Sequence, residues 1–454
     1  MRLQDWLTRI CGSLTNSTLR TISRRRRTPQ LSGSAIVERL ESRQYLSANP
    51  VPLGPTVNVN SSSPTSQVSP PAVASNAVGN YVVVWSTTLA DHTTEIDGRQ
   101  YYASGNPMGS QFTISKSSSS SVELIDPLVA INIQGQFVVT WTSATLNSNN
   151  EVTGISILAQ RFNSLGKAQG TPLAVGTSTE PYLFPTPSSV GIDSRGDFVV
   201  VWGSKNSSTP GIGEYVYAQV YNWSGSLKGN RITVATGDGG NTFAEFSTAA
   251  MDSSGDFVVV WESFNGTNIS IKAQRYNLAG TPTSNLITVA NGDGTSNNYN
   301  ISQREPSVAI DAVGAFVVAW ETGDFTGPQE VDSIHAQRYD FRGHASGSAI
   351  NVYQGDSISY ENSPSVAMNG IGDFVVTWWH NNRTNSNTTV YAHAYKSTGQ
   401  SDGSQVTVAQ SSNNSNNVFP SVAMNGYDNF VIVWQQYIPQ VTNPYKIVAQ
   451  RYRN

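Results

Sequence analysis

Cysteine is almost missing from this chain. The only thiol, Cys11, lies in a basic leader, so residues 49–454 can form neither a disulfide nor a thiolate metal site. Charge is scarce as well, at 13% of 454 residues. No uninterrupted apolar run approaches the length of a membrane-spanning helix. Histidine is limited to His92, His335, His344, His380 and His393, and no two of them stand at metal-ligand spacing. There is no Gly-x-Ser-x-Gly elbow and no phosphate-binding loop. Basic residues are clustered only at the start: residues 1–48 hold nine Lys and Arg against three Asp and Glu, a net of +6, and the remainder carries −10. A mildly acidic body excludes a nucleic-acid backbone as the main partner, because phosphate binding needs clustered cations. No cofactor and no transmembrane segment is expected, and the sequence carries no signal for an oligomeric state.

Ser, Asn, Thr and Gly are abundant instead, with Val, Tyr and Trp supplying much of the apolar content. Such side chains fit a pleated surface. One pattern occurs seven times between residues 72 and 454: an aromatic residue, three mostly β-branched residues, then Trp. The tryptophans are Trp85, Trp141, Trp202, Trp261, Trp320, Trp378 and Trp434. A fixed period of 56 to 61 residues marks stacked or radially arranged units. The copy from Thr248 to Ala290 predicts four short strands: a, Thr248–Asp252; b, Phe257–Glu262; c, Ile271–Asn277; d, Leu286–Ala290. The a–b connection, Ser253-Ser254-Gly255-Asp256, reads as a tight turn.

Strand b is apolar at every position, so both faces of each sheet are buried, whereas strand d alternates. Sheets packed face to face around an axis satisfy both demands. The fold expected is therefore all-β, a seven-bladed β-propeller of four-stranded antiparallel blades over residues 49–454. The seventh copy stops after strand c, at Ala449-Gln450-Arg451-Tyr452. The first copy is preceded by Gly54-Pro55-Thr56-Val57-Asn58-Val59, which matches strand d of the fifth, Gly347-Ser348-Ala349-Ile350-Asn351-Val352. Thr56–Val59 should pair with Lys446–Tyr452 and close the ring.

Several repeated residues read as structural. The seven tryptophans form the core between blades. Asx-x-x-Gly at the a–b turn, as at Asp193 and Asp252, caps the turn itself. Calcium at Asp193 and Asp197, or at Asp252 and Asp256, is a weaker alternative, because the loop is short and lacks the ligand ladder of a calcium loop. The Arg of Ala-Gln-Arg-Tyr (Arg161, Arg275, Arg338, Arg451) becomes Val220 and Ala394 in two copies, which suits a blade-to-blade contact.

Residues 1–48 fall outside the repeat. Arg24–Arg27 precede Glu38-Arg39-Leu40-Glu41-Ser42-Arg43-Gln44-Tyr45-Leu46-Ser47-Ala48. This run resembles the N-terminal segment of planctomycete extracellular proteins, with Tyr45 in place of one Leu, and the resemblance implies export to the cell surface or beyond. The repeat is similar to those of bacterial surface and secreted proteins. It resembles the sialidase Asp-box in part only, because its Asp-x-x-Gly-Asp-Phe-x-x-x-Trp spacing departs from that motif.

The a–b and c–d turns share one face of the disc; the variable b–c and d–a connections share the other, where binding would be built. Candidate ligand-face residues are Tyr182, Phe243, Glu245, Tyr299, Arg304, Glu305, Tyr360 and Glu361 in the d–a connections, and Trp379 and His380 in the b–c connections. Asp126, Glu245, Glu305 and Glu361 stand near the start of strand a and approach the central channel, but sequence does not pair them. The leading expectation is a non-catalytic extracellular adhesion module that binds a glycan or protein. A propeller-scaffold glycoside hydrolase or lyase is the first alternative, and a structural surface-matrix component the second.

Overall fold

The computed structural model describes residues 49–454 apart from 62–66, 179–187, 206–213, 237–241, 296–297, 325–330, 357–358, 383, 385–386, 412–414, 440 and 442–443. The leader assignment over residues 1–48 lies outside the described residues.

The fold is the expected one: an all-β, seven-bladed propeller whose blades are antiparallel sheets in the order a-b-c-d. Blade 4 shows the plan, with strands Thr242–Met251, Phe257–Asn265, Ile269–Tyr276 and Ile287–Ala290. Each strand b is sealed on both faces; Phe257 through Trp261 are at most 3% exposed. The aromatic that opens strand b stacks on the aromatic that ends strand c in all seven blades. These pairs run from Tyr81 on Tyr101 at 4.8 Å to Phe430 on Tyr452 at 5.0 Å. Seven clusters of buried apolar residues fill the seams, one between each pair of neighbouring blades, and each is anchored by the Trp of one blade pressed on the blade before it.

The strands a form the inner ring. A serine hydroxyl in one blade accepts the N–H of the residue that follows its counterpart in the next: Ser189 from Ala249, Ser307 from Val366, Ser365 from Val422 and Ser421 from Val73. The last of these joins blade 7 to blade 1. The repeated arginine is a blade-to-blade contact, as its spacing implied. Arg338 donates to the carbonyls of Ser397 and Ser346, and Arg451 donates to Ala103 O at 2.7 Å across the closing seam.

Closure follows the sequence expectation and extends it. Val57 and Asn58 pair with Ala449 and Val448, and Val59 N–H donates to Ile447 O at 2.8 Å. Upstream, Val51 and Pro52 pair with Arg453 and Tyr452. Gly54, at φ +81°, takes the place held in other blades by Gly170, Gly229 and Gly347. The strand-c glutamine that bonds those glycine carbonyls is here Gln450, donating to Gly54 O at 3.1 Å. The N-terminal strand thus reproduces the whole c–d corner, not only its pairing.

Deleting residues 1–61 should therefore leave blade 7 with three strands and strip Val59 from the core of its seam with blade 1. The expected product melts at least about 10 °C lower than a chain lacking residues 1–48 alone, since losing a few kcal/mol shifts Tm by several degrees. It should also elute as aggregates, and calorimetry with size-exclusion chromatography reads both.

Candidate functional site

The residues expected in connections are strand residues. Phe243 and Glu245 lie in strand a of blade 4, Tyr299, Arg304 and Glu305 in Asn298–Ile310, and Tyr360 and Glu361 in Ser359–Met368. Trp379 and His380 continue strand b, Phe374–Asn382. Tyr182 lies outside the described residues, as do the side chains of Phe243, Glu245 and Tyr299.

A bulge explains why strand a looked short. In blades 2, 4, 5, 6 and 7 the a–b register shifts by one residue, two residues of strand a facing one of strand b, between Ile125 and Leu128, Glu245 and Thr248, Arg304 and Ser307, Asn362 and Ser365, and Val418 and Ser421. The first bulged residue is in each case left-handed: Asp126, Phe246, Glu305, Ser363 and Phe419 have φ between 48° and 54°. None is glycine, and such residues are held against a cost of about 1–2 kcal/mol each. Beyond the bulge strand a resumes pairing, so blade 4 carries six residues of strand a upstream of the predicted start. Bulges of this kind re-aim side chains and gather beside functional sites.

The pairing beyond the bulge places two strand-b positions, one and two residues after each Trp, beside the inner ring. They read Ser86-Thr87, Thr142-Ser143, Gly203-Ser204, Glu262-Ser263, Glu321-Thr322, Trp379-His380 and Gln435-Gln436 around the disc. Ionisable residues occupy them only in blades 4, 5 and 6. The first position reaches across the seam: Ser86 Oγ donates to Leu124 O at 2.7 Å, and Gln435 Nε2 donates to Val68 O at 2.6 Å. In blade 4 a carboxylate takes this role, Glu262 Oε1 accepting the N–H of the bulged Glu305 at 2.6 Å. Glu305 Oε2 in turn accepts the N–H of the bulged Ser363 in blade 6 at 2.7 Å. Glu321 Oε1 binds Arg304 at 2.7 Å, and Asp332 Oδ1 binds the same guanidinium nitrogen at 3.1 Å.

The second position shows the same contrast. Gln303 Oε1 accepts from Trp320 Nε1 at 2.7 Å and Thr322 Oγ1 at 2.8 Å. Asn417 Oδ1 accepts from Trp434 Nε1 at 3.1 Å and Gln436 Nε2 at 3.0 Å. In blade 6 the corresponding pair is ionisable: Glu361 Oε1 lies 2.6 Å from His380 Nδ1. Glu361 is fully buried, and both its Oε2 and the indole nitrogen of Trp378 lack a partner. The His380 ring meets Tyr353 and Tyr391 edge-on, at 6.3 and 5.9 Å. On the other side of the sheet Trp379 makes an edge contact with Phe419 at 5.9 Å.

Burial sets the protonation of these groups. It pushes Glu262 up to about 8 against the lowering effect of the Glu305 N–H, and it pushes Asp126 up to about 6. Burial pulls His380 down, but the hydrogen bond and charge of Glu361 outweigh it, so the imidazole stands above its ordinary value. The pair therefore holds one proton between its two members more tightly than a free histidine would. Burial, and then the charge of Glu361, raise the Tyr353 phenol to about 12.

Other expected features fall elsewhere. Asp193 Oδ1 accepts Arg195 and Asp197 N–H groups, and Asp252 Oδ1 accepts those of Ser254, Gly255 and Asp256, so these aspartates cap their own turns. Among the described residues no three His, Cys, Asp or Glu side chains gather to hold a metal ion. Two cavities of about 200 and 240 Å³ open on the opposite, short-turn face, at the seams of blade 1 with blades 7 and 2; Val78 lines both.

No family model matches the chain, and no curated protein does either. Solved structures share the fold. The polysaccharide lyase Uly1 superposes with a TM-score of 0.52 at 8% identity, over 89% of this chain and all of its own. An α-L-arabinofuranosidase of Fusarium graminearum gives 0.48 at 10% identity, over 89% and 98%. A protein of unknown function from Dyadobacter fermentans gives 0.46 at 11%, over 73% and 95%. At these identities the likeness shows a propeller and nothing finer.

Glu262 supplies a test of the electrostatics. Its folded-state pKa lies above its unfolded value, so the folded chain retains a proton that the unfolded chain releases, and stability falls as pH rises from about 4.5 to about 8. Glu262→Gln keeps an acceptor for the Glu305 N–H and removes the titration. The variant should match the parent Tm near pH 4 and exceed it near pH 9; equal Tm values at both would show that Glu262 is not held neutral.

Proposed function

We propose that the protein is a glycan-cleaving enzyme whose site lies on the loop face over blades 4 to 6. One observation carries this reading: buried ionisable groups replace neutral ones at the two positions after Trp in three adjacent blades, and not in the other four. A propeller needs no buried charge there, since Ser86, Gln435 and Asn417 satisfy the same main chain and indoles without it. Buried charge is destabilising, and its local concentration points to chemistry. The reading reverses the order expected from sequence, in which an adhesion module came first.

The groups divide into acid and base. Glu262, neutral up to about pH 8, is a proton donor at physiological pH. His380, with Nδ1 fixed by Glu361, presents Nε2 as the atom that accepts and returns a proton. The bulged Phe246 of blade 4, 44% exposed, and Phe419, 38% exposed and set from blade 7 against Trp379 of blade 6, offer faces on which sugar rings can stack. The resemblance of the leader to exported proteins supports a substrate outside the cell.

A panel of polysaccharides assayed for new reducing ends or unsaturated products tests the proposal. Turnover is expected on at least one substrate, and His380→Ala or Glu262→Gln should lower kcat by about 10²- to 10⁴-fold while the melting curve stays cooperative. Binding without turnover, unchanged in both variants, would return the protein to the adhesion reading.

A further inference from the structure

We infer that the short-turn face of the propeller docks on a lipid surface bearing anionic headgroups; the inference goes beyond the glycan-cleaving reading and stands without it. It starts from where the exposed apolar side chains are. Among the described residues, the large apolar side chains most open to water are Leu165, Val313, Ile371, Tyr427 and Leu227, at 66% to 87% exposure, and all five lie in a–b or c–d turns. On the inner ring Val313, Ile371, Tyr427, Val78 and Ile133 are the tips of consecutive a–b turns, in blades 5, 6, 7, 1 and 2. These turns touch one another. Asn369 Nδ2 donates to Asp428 Oδ1 between blades 6 and 7, and Gly426 N–H donates to Ala77 O at 3.0 Å between blades 7 and 1. The tips are therefore an arc, not scattered single residues.

Turn chemistry does not account for them. Val313, Ile371 and Tyr427 give the turn only their N–H groups, to the capping side chains of Asp311, Asn369 and Asn425 at 2.8 to 3.0 Å. Arg195 and Ser254 do the same at the tips of blades 3 and 4, so the position accepts polar residues. Recesses run between the apolar tips. Tyr427 and Val78 border the cavity of about 200 Å³, and Val78 and Ile133 the one of about 240 Å³. Fluid acyl chains can enter such recesses.

Charge selects the partner. Lys167, Arg342 and Arg453 are exposed on this face, and Arg195 is 59% exposed. Of the nine carboxylates in the a–b and c–d turns, those of Asp193, Asp197, Asp252, Asp311, Asp373 and Asp402 are buried, and the other three are half-buried. Cations therefore dominate the accessible charge here, in a domain whose net charge is negative. Apolar tips framed by cations suit an anionic lipid surface: the tips sink below the headgroups and the cations meet them. A propeller holds equivalent turns at one height, so the tips reach a plane together. A second copy of the chain would instead set like charges against each other. Docked in this way, the propeller turns its variable loop face, with Glu262 and His380, away from the lipid.

Vesicle co-sedimentation of the full chain tests the inference, with phosphatidylcholine vesicles and with vesicles that also hold about 30% phosphatidylglycerol. The anionic vesicles should be bound at least about tenfold more tightly at about 0.1 M salt. Combining Val313→Ser, Ile371→Ser and Tyr427→Ser should lower that affinity about tenfold or more with the melting curve unchanged. Val441→Ser, in a b–c connection, should change nothing. Lys167→Glu with Arg342→Glu should narrow the anionic preference severalfold. Anionic binding unaltered by the triple substitution would assign it to the basic leader and overturn the inference. Equal binding to both vesicles, or binding to neither, would overturn it too. So would a dimer in light scattering that the triple substitution converts to monomer, since the arc would then belong to a second copy.

Discussion

The main-chain hydrogen bonds between Val57–Asn58 and Val448–Ala449 hold the ring shut. Each blade buries its Trp on the blade before it, so no blade completes its own core, and a ring with a gap would leave two apolar faces in water. Closure is reinforced at every radius of the closing seam. Ser421 binds Val73 on the inner ring, Gln435 binds Val68 beside it, and Arg451 binds Ala103 at the turn face. A disulfide is unnecessary here because the first and last strands are cross-linked by the sheet itself.

A frame closed in this way can hold conformations that an isolated sheet would relax. Five non-glycine residues stay left-handed on the inner ring, and three neighbouring blades carry carboxylates with little or no access to water. The two features are coupled. Glu262 accepts the N–H of Glu305 and Glu305 accepts that of Ser363, so carboxylates fix the main chain at two of the strained bulges. The acids therefore have a structural duty as well as an unusual protonation. This places them at the one spot in each blade where a small displacement re-aims the side chains at the channel mouth.

The frame was legible in sequence because it repeats. The Trp period set the number of blades, the Asx-x-x-Gly turns set the a–b corners, and the missing strand at one end matched the spare strand at the other. The site was not legible for the opposite reason. Glu262 reads as the last residue of a strand, and nothing in its own segment shows that it meets the N–H of Glu305, 43 residues on. Strand a was cut short because the turn to left-handed φ at Phe246 or Phe419 has no glycine to announce it. Residues placed in connections, Glu361 and His380 above all, are instead a cross-strand pair inside a sheet. A signal existed: aligning the copies at the two positions after Trp separates blades 4 to 6 from the rest without any coordinates.

That alignment also explains why the acids are tolerated. In four blades the positions after Trp are neutral, so the site is not a by-product of the propeller but an addition to it. An added buried carboxylate lowers its cost in one of three ways: it takes a proton, finds a cation or accepts hydrogen bonds. Glu321 and Asp332 found Arg304, Glu361 shares a proton with His380, and Glu262 takes a proton of its own. Only Glu262 does so without a charged partner, and it keeps that proton up to about pH 8.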